Sequence, residues 1–421
     1  MKKYIIKGPT NSISGTVNIN GAKNSCLPLM AASILFKDKV ILKNVPLVKD
    51  VITMKNLLIS LGSKVEISKT NKMIIKNSKP HKRRVPYKLV STMRAGVLTM
   101  GSLLGRYQKK KIYVAKGGGC SLGIRDINYH LSGFESLAAE HRLEKGYVRI
   151  HSKNGLVGGS YKFPKVSVTG TSNLIMASVL SKGTHIIRNI SIEPEVIDLI
   201  TFLNNSGSKI KFIGKRSIKI LGVTELTTGE HTIIGDRIEA FSYLCVGAIT
   251  KGNVLVKNIN PKFLSTEIEV LKKMGCLIKK GKDYIFIKSK KKHFPIKVKT
   301  APYPNFATDN MPSLLAVLTK VPGKSHIEET IFSNRFMAVP ELARMGANIK
   351  VKNNRAVIIG CRNLIGADCI SSDLRTTFSI ILGAIAAKGS SNINRVYHGE
   401  RGLFNLVGKL KKLGVKIKSD N

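Results

Sequence analysis

Asn24-Ser25-Cys26-Leu27-Pro28-Leu29-Met30-Ala31-Ala32-Ser33-Ile34-Leu35-Phe36 reads as an apolar, small-residue helix capped by Asn24 or Ser25. Pro28 fits such a helix only in its first turn, where its missing N–H costs nothing. A short β-rich run, Val40-Ile41-Leu42, follows. Next comes an amphipathic helix with Val51, Met54, Leu58 and Leu61 at helical spacing, ended by Gly62 as a C-terminal cap. Two β-type runs close the block, Lys64-Val65-Glu66-Ile67 and Met73-Ile74-Ile75. The block is a βα-type unit.

The unit returns along the chain. A small-residue apolar helix, a basic or Gly turn, a strand, an Asn-containing turn and a second helix ending in Leu/Met-Gly recur from Asn173-Leu174-Ile175-Met176-Ala177-Ser178 to Ser206-Gly207. Further copies run from Arg237-Ile238-Glu239-Ala240 to Met274-Gly275, from Asp309 to Met345-Gly346 and from Asp373-Leu374-Arg375 to Leu413-Gly414. A weaker one runs from Met93-Arg94-Ala95-Gly96 to Leu137-Ala138. The closing residues 62, 138, 207, 275, 346 and 414 stand roughly 70 residues apart, a longer period than that of the familiar solenoids. Six such units split into three and three, which predicts two similar α/β domains with a junction in 226–236 and a ligand in the cleft between them.

Composition fits that size and narrows the function. A chain of 421 residues with 43% hydrophobic residues builds two or three cores. The N-terminus, Met1-Lys2-Lys3-Tyr4-Ile5-Ile6-Lys7-Gly8-Pro9, has no apolar run after its positive charge, so no secretory signal is read, and no later run is long enough to span a bilayer. Cys26, Cys120, Cys245, Cys276, Cys361 and Cys369 include no C-x-x-C or other metal-type pairing and fit reduced thiols in the cytoplasm. The formal charge of +45 would attract polyanions. Its basic residues are nevertheless dispersed, mostly Lys, and accompanied by Ile and Asn, three residue types with AT-rich codons. Codon bias accounts for the charge better than a nucleic-acid partner does.

The chemistry-bearing stretch is Gly117-Gly118-Gly119-Cys120-Ser121-Leu122-Gly123-Ile124-Arg125, a thiol on backbone that glycine leaves unrestrained and that lets an anion approach closely. Basic residues recur near helix starts: Lys23 before Asn24, Arg94 in Thr92-Met93-Arg94-Ala95, and Arg375 in Asp373-Leu374-Arg375. Two more arginines stand in Asn334-Arg335-Phe336-Met337 and Tyr397-His398-Gly399-Glu400-Arg401-Gly402. Helix N-termini and guanidinium forks are what phosphate and carboxylate recognition requires. A chain this basic scatters Lys and Arg widely; repetition at equivalent points of the repeat is what singles these out.

At these residues the chain resembles the enolpyruvyl transferase family, and within it the enzymes that act on UDP-N-acetylglucosamine. The matching stretches are Asn20-Gly21-Ala22-Lys23-Asn24-Ser25, Thr92 to Ala95, Gly118 to Arg125, Lys165-Val166-Ser167-Val168, Asp236-Arg237-Ile238-Glu239, Thr300-Ala301-Pro302-Tyr303-Pro304 with Thr308-Asp309, Asn334 to Met337, Asp373 to Arg375, and Glu400 to Gly402. They cover essentially the whole chain. The resemblance implies two inside-out α/β barrel domains, each of three repeated α/β units, with the active site in the cleft between them. The implied domains are 22–231, which carries the Cys loop, and 1–21 plus 232–421. The implied reaction moves the enolpyruvyl group of phosphoenolpyruvate to the 3′-hydroxyl of UDP-N-acetylglucosamine, releasing phosphate and beginning peptidoglycan precursor synthesis. No metal or organic cofactor, specific nucleic acid or membrane is implied.

Such an addition needs an acid for the methylene carbon of the enol ether and a base for the attacking hydroxyl. The resemblance gives Cys120 the first role, with a covalent pyruvate adduct open to it, and Asp309 the second together with a sugar contact. Lys23, Arg125 and Arg401 match the groups that hold the phosphate and carboxylate of phosphoenolpyruvate. Asn24, Arg94, Arg335, Asp373 and Arg375 match others lining the cleft, although an ion pair within the repeat competes with substrate contact for Asp373 and Arg375. Lys165, Val166, Ser167 and Val168, with Arg125, Asp126, Ile127, Asn128 and Tyr129, face the nucleotide by the same match, and Ile331 lies near the sugar. The chain departs from the family pattern at Gly117 for Pro, Asp126-Ile127-Asn128-Tyr129 for Pro-Val-Asp-Leu, Ala307 for Pro, Asn310-Met311 for Met-Gln, Ala338 for His and Glu400 for Asp. The nearest rival, 5-enolpyruvylshikimate-3-phosphate synthase, lacks a Cys-bearing Gly loop of this kind and opens its first helix on a different Lys-Ser motif. A nucleic-acid-binding or RNA-end-processing protein is the rival of another class, supported only by the charge.

Overall fold

Gly62, Ala138, Gly207, Gly275, Gly346 and Gly414 all adopt left-handed backbone, with φ of 115, 62, 97, 108, 87 and 89°, in the computed structural model of the chain, which describes residues 2–115, 127–227, 229–290, 292–361 and 363–420. That conformation ends a helix and is easy only for glycine, so the repeat read from the sequence is a repeat of backbone geometry. The asparagine turn recurs too. Asn44, Asn189 and Asn258 have φ of 58, 54 and 64°, and their side-chain amides donate to Ile233 O, Phe163 O and Ile19 O at 2.9, 2.7 and 2.6 Å.

The described chain forms two compact units, one whose described part is 2–20, 235–290, 292–361 and 363–420, and an inserted one whose described part is 21–115, 127–227 and 229–234. The inserted unit holds α1 (Lys23–Ala32), α2 (Lys49–Leu61), α3 (Tyr87–Thr92), α4 (Thr99–Arg106), α5 (Asn128–Glu135), α6 (Val168–Ser178) and α7 (Pro194–Asn205). Its sheets run, in spatial order, 229–232, 39–43, 73–76, 64–67; 209–214, 217–221, 184–188, 160–162; and 112–115, 147–151, 140–144. In each of the first two, one edge strand pairs in parallel with a strand whose other neighbour belongs to an antiparallel hairpin.

Helices α1, α4 and α6 are buried over nearly their whole lengths, as a helix apolar all round must be. Glycines let α4 meet α6: a Cβ on Gly101 would lie 2.2 Å from Asn173 O, and one on Gly105 2.4 Å from Met176 O. Two local expectations are corrected. Helix α1 starts at Lys23 after Ala22, with no side-chain cap, because Ser25 Oγ donates instead to buried Asp198, whose other oxygen meets His231 Nε2 at 2.7 Å. Pro28 lies beyond the first turn of α1. It has no N–H to give the carbonyl of Asn24, one turn earlier, which is an exposed residue. Likewise α6 begins at Val168, so Asn173 lies inside the helix and not at its start.

The terminal unit repeats the plan with α8 (Arg237–Ile249), α9 (Ser265–Lys273), α10 (Met311–Leu318), α11 (Val339–Arg344), α12 (Leu374–Ala386) and α13 (Leu406–Lys412). Helices α8, α10 and α12 pack on one another and are buried almost throughout. Strand Ser14–Asn18 pairs in parallel with Asn253–Lys257, and Lys3–Gly8 lies between Ala387–Asn394 and Ile417–Asp420. The strands around α8, α10 and α12 alternate buried and exposed residues, as in Asn253–Lys257 and Lys324–Glu328, so the sheets turn one face to the helices and the other to water. Exposed lysines on the sheets, such as Lys209, Lys211, Lys219, Lys257 and Lys297, account for part of the charge. Among the described residues no helix is long and apolar enough to cross a membrane.

Candidate active site

The basic residues expected at helix starts take up specific partners within each unit. In the inserted unit Lys23 is the first residue of α1, where an ammonium opposes the positive end of the helix dipole. Asp50, in the first turn of α2, compensates it: Lys23 Nζ lies 3.1 Å from Asp50 Oδ2, with 14% and 7% of the two side chains exposed. Sequence reasoning missed Asp50. Its only local signal is an acid in the first turn of an amphipathic helix, which is explained without any partner.

The neighbouring candidates in this unit sit at other helix entrances. Asn24 is exposed beside Lys23, and Arg94 opens the 3-10 turn Arg94–Leu98 that runs into α4. Ile127 is buried, Asn128 starts α5, and the Tyr129 carbonyl accepts from Tyr161 Oη at 3.3 Å. Lys165 and Val168 are exposed and Val166 is half-buried, while Ser167 Oγ caps α6 by accepting from Gly170 N at 3.2 Å. Cys120, Arg125 and Asp126 lie outside the described residues.

In the terminal unit the structure gathers three of the predicted residues at one carboxylate. Arg335 Nη2 donates to Asp309 Oδ1 at 2.5 Å, while Arg375 Nη2 and Nε donate to Asp309 Oδ2 at 2.8 and 3.2 Å. Arg335 Nε also donates to Thr308 O at 3.0 Å. Arg375 therefore pairs with Asp309, on a different repeat, and not with Asp373. Asp373 instead caps α12, accepting from Arg375 N and Thr376 N at 2.8 and 3.1 Å. Burial pushes the Arg375 guanidinium down, but Asp309, Asp236 and Asp373 together outweigh it and raise it above its ordinary value.

Ile331 and Arg401 border this cluster. Glu329, which sequence reasoning also missed, accepts from Ile331 N at 2.7 Å and from Thr308 Oγ1 at 2.9 Å, so one buried carboxylate ties the Ile331 turn to the residue beside Asp309. Arg401 ends the 3-10 turn Val396–Arg401. Burial and then Arg401 push the His398 imidazole down while Asp373 opposes them, which places Arg401 and Asp373 in one electrostatic neighbourhood. Chemically, the terminal unit presents an ionised carboxylate fixed by two guanidiniums, and each unit presents cations suited to oxyanions.

The sequence profile of the family described as EPSP synthase (3-phosphoshikimate 1-carboxyvinyltransferase) matches residues 7–418. A UDP-N-acetylglucosamine 1-carboxyvinyltransferase from Pelagibacter ubique (strain HTCC1062) is 45% identical over 421 residues, covering 100% of both chains. One from Finegoldia magna (strain ATCC 29328 / DSM 20472 / WAL 2508) is 40% identical over 408 residues, 96% of each. Among solved structures, the enolpyruvyl transferase NikO from Streptomyces tendae matches with a TM-score of 0.89 at 20% identity, over 99% of this chain and 98% of that one. An EPSP synthase from Acinetobacter baumannii matches with 0.79 at 17% identity over 100% of both. These two carry the fold: an α/β architecture of two repeat-built units. The full-length sequence relatives carry the rest, and the chain is an enzyme that belongs to the enolpyruvyl transferase family, among the UDP-N-acetylglucosamine 1-carboxyvinyltransferases.

Proposed function

We propose that this enzyme transfers the enolpyruvyl group of phosphoenolpyruvate to the 3′-hydroxyl of UDP-N-acetylglucosamine and releases phosphate. The observation that carries the reading is the 45% identity, end to end, with a relative of that name. The reaction is the first committed step of peptidoglycan precursor synthesis, and with it of cell-wall biogenesis, cell shape and division. The free thiols of Cys26, Cys245, Cys276, Cys361 and Cys369 suit the cytoplasm.

Cys120 delivers a proton to the methylene carbon, and positive charge develops on the neighbouring carbon beside the ether oxygen. The 3′-hydroxyl attacks that carbon while Asp309 takes its proton. Loss of a proton from the new methyl group and departure of phosphate restore the double bond. Asp309 suits its role because the bonds from Arg335 to one oxygen and from Arg375 to the other fix the orientation of its carboxylate. Lys23, Arg125 and Arg401 neutralise the phosphate and carboxylate of phosphoenolpyruvate. Asn24, Arg94, Asp373, the 165–168 and 125–129 segments and Ile331 hold the nucleotide sugar. The +45 charge belongs to no specific nucleic-acid site.

Phosphate release from phosphoenolpyruvate, measured with each acceptor, tests the reading. Release is expected with UDP-N-acetylglucosamine and not with shikimate 3-phosphate; turnover with shikimate 3-phosphate alone would overturn it.

A further inference from the structure

Elements next to three of the segments assigned to the nucleotide meet at one side chain that none of the site assignments includes. Asn173 is fully buried inside α6. Its Oδ1 accepts from Gly101 N at 2.9 Å, and its Nδ2 donates to Val97 O at 3.0 Å. Val97 O and Gly101 N are the two groups an α-helical bond would join, so the amide bridges the point where the 3-10 turn that starts at Arg94 runs into α4. Nδ2 also lies 2.7 Å from His130 Nδ1, and His130 Nε2 lies 3.3 Å from Thr169 Oγ1. His130 stands in the first turn of α5, next to Tyr129, and Thr169 stands next to Val168.

These contacts determine a proton position. A backbone N–H only donates and a carbonyl only accepts, so Gly101 and Val97 fix which end of the Asn173 amide is oxygen and which is nitrogen. The nitrogen facing His130 Nδ1 is then a donor, and Nδ1 must offer a lone pair. His130 is therefore neutral, with its proton on Nε2 and directed to Thr169 Oγ1. A proton on Nδ1 would set two N–H groups against each other in a site closed to water.

We infer that Asn173 is a positioning residue for the nucleotide sugar: by holding His130 as the Nε2–H tautomer it fixes the Arg94 turn, the entrance of α5 and the entrance of α6 against one another. The inference rests on the proposed acceptor. Asn173 touches no reacting atom, so its loss acts on nucleotide affinity and leaves the chemical step largely intact. Asn173→Asp is the discriminating change, because a carboxylate repels the Val97 carbonyl and draws a proton onto His130 Nδ1 without altering side-chain size.

The experiment has two readouts. Nitrogen-15 NMR of histidine-labelled enzyme, assigned with His130→Gln, should show wild-type His130 with Nδ1 unprotonated and Nε2 protonated, and Asn173→Asp should protonate Nδ1. In steady-state assays Asn173→Asp should raise KM for UDP-N-acetylglucosamine about tenfold, as expected for one or two misplaced hydrogen bonds, and change kcat much less. A wild-type Nδ1–H tautomer would overturn the inference, and so would an unchanged KM in a folded Asn173→Asp enzyme or a loss confined to kcat. The wild-type tautomer is read without Asn173→Asp, so failure of that variant to fold leaves the test standing. If wild-type enzyme does not use UDP-N-acetylglucosamine at all, the proposed function fails and the tautomer measurement still decides the network.

Discussion

Ala138→Gly should stabilise the protein. Ala138 is exposed and holds a φ of 62° at the helix end where the five equivalent positions are glycine. Left-handed backbone costs an L-residue roughly 1–2 kcal/mol, and the extra freedom glycine gives the unfolded chain takes back about 0.4–1 kcal/mol. The net gain is therefore about 0.5–1 kcal/mol, or roughly 1–4 °C in Tm for a unit of this size. The reverse changes calibrate it. A Cβ added at Gly207, Gly346 or Gly414 would meet nothing within 4 Å, so Gly346→Ala and Gly414→Ala carry the backbone term alone and should destabilise by about the same amount. Gly275 is unsuitable, because its added Cβ would stand 3.0 Å from Lys292 O. Urea unfolding followed by circular dichroism gives the shift in midpoint, with the slope unchanged if only stability has moved. A lower midpoint for Ala138→Gly, or no cost for Gly346→Ala and Gly414→Ala, would refute the assignment of these positions as one repeated left-handed cap.

The Lys23–Asp50 pair predicts that Asp50→Asn raises KM for phosphoenolpyruvate about tenfold, the worth of a lost charge-assisted hydrogen bond, and Asp50→Glu less; an unchanged KM in steady-state assays would sink it. Burial holds His185 down at about 4, and burial with Arg106 holds His81 at about 4. Both stay neutral in the fold while the unfolded chain takes up protons near 6.5, so their stabilisation is complete above that pH and is lost as pH falls from about 6.5 towards 4. Each contributes at most about 3 kcal/mol by that shift, and urea midpoints that stay flat between neutral pH and pH 5 would contradict the assignment. Cys120→Ala should remove most turnover, while Cys120→Asp should retain some because a carboxylic acid still supplies a proton; phosphate-release assays decide this, and full turnover in Cys120→Ala would take the thiol out of the chemistry.

What the sequence by itself determined is the part written in single residues and short spacings. Glycine at a helix end, asparagine in a left-handed turn and an apolar small-residue helix each state a local backbone preference, and their recurrence was enough to count six units and place the chain among α/β folds. Whole motifs such as Asp373-Leu374-Arg375 likewise pointed to the residues that bear charge. Tertiary structure decided which of them meet. Nothing near Asp309 in the sequence indicates that Arg335 and Arg375, from other parts of the unit, close on its two oxygens, or that Asp50 stands opposite Lys23. Nor does a lone Asn inside an apolar helix announce that it bridges Val97 and Gly101 and sets a histidine tautomer. Pro28 shows the same limit in the fold: its local rule places it in a first turn, and the packing of α1 holds it deeper in the helix. Local preferences depend on one residue and its immediate neighbours, whereas these contacts exist only once buried helices from different repeats have packed, and the free energy of that burial outweighs any single local rule.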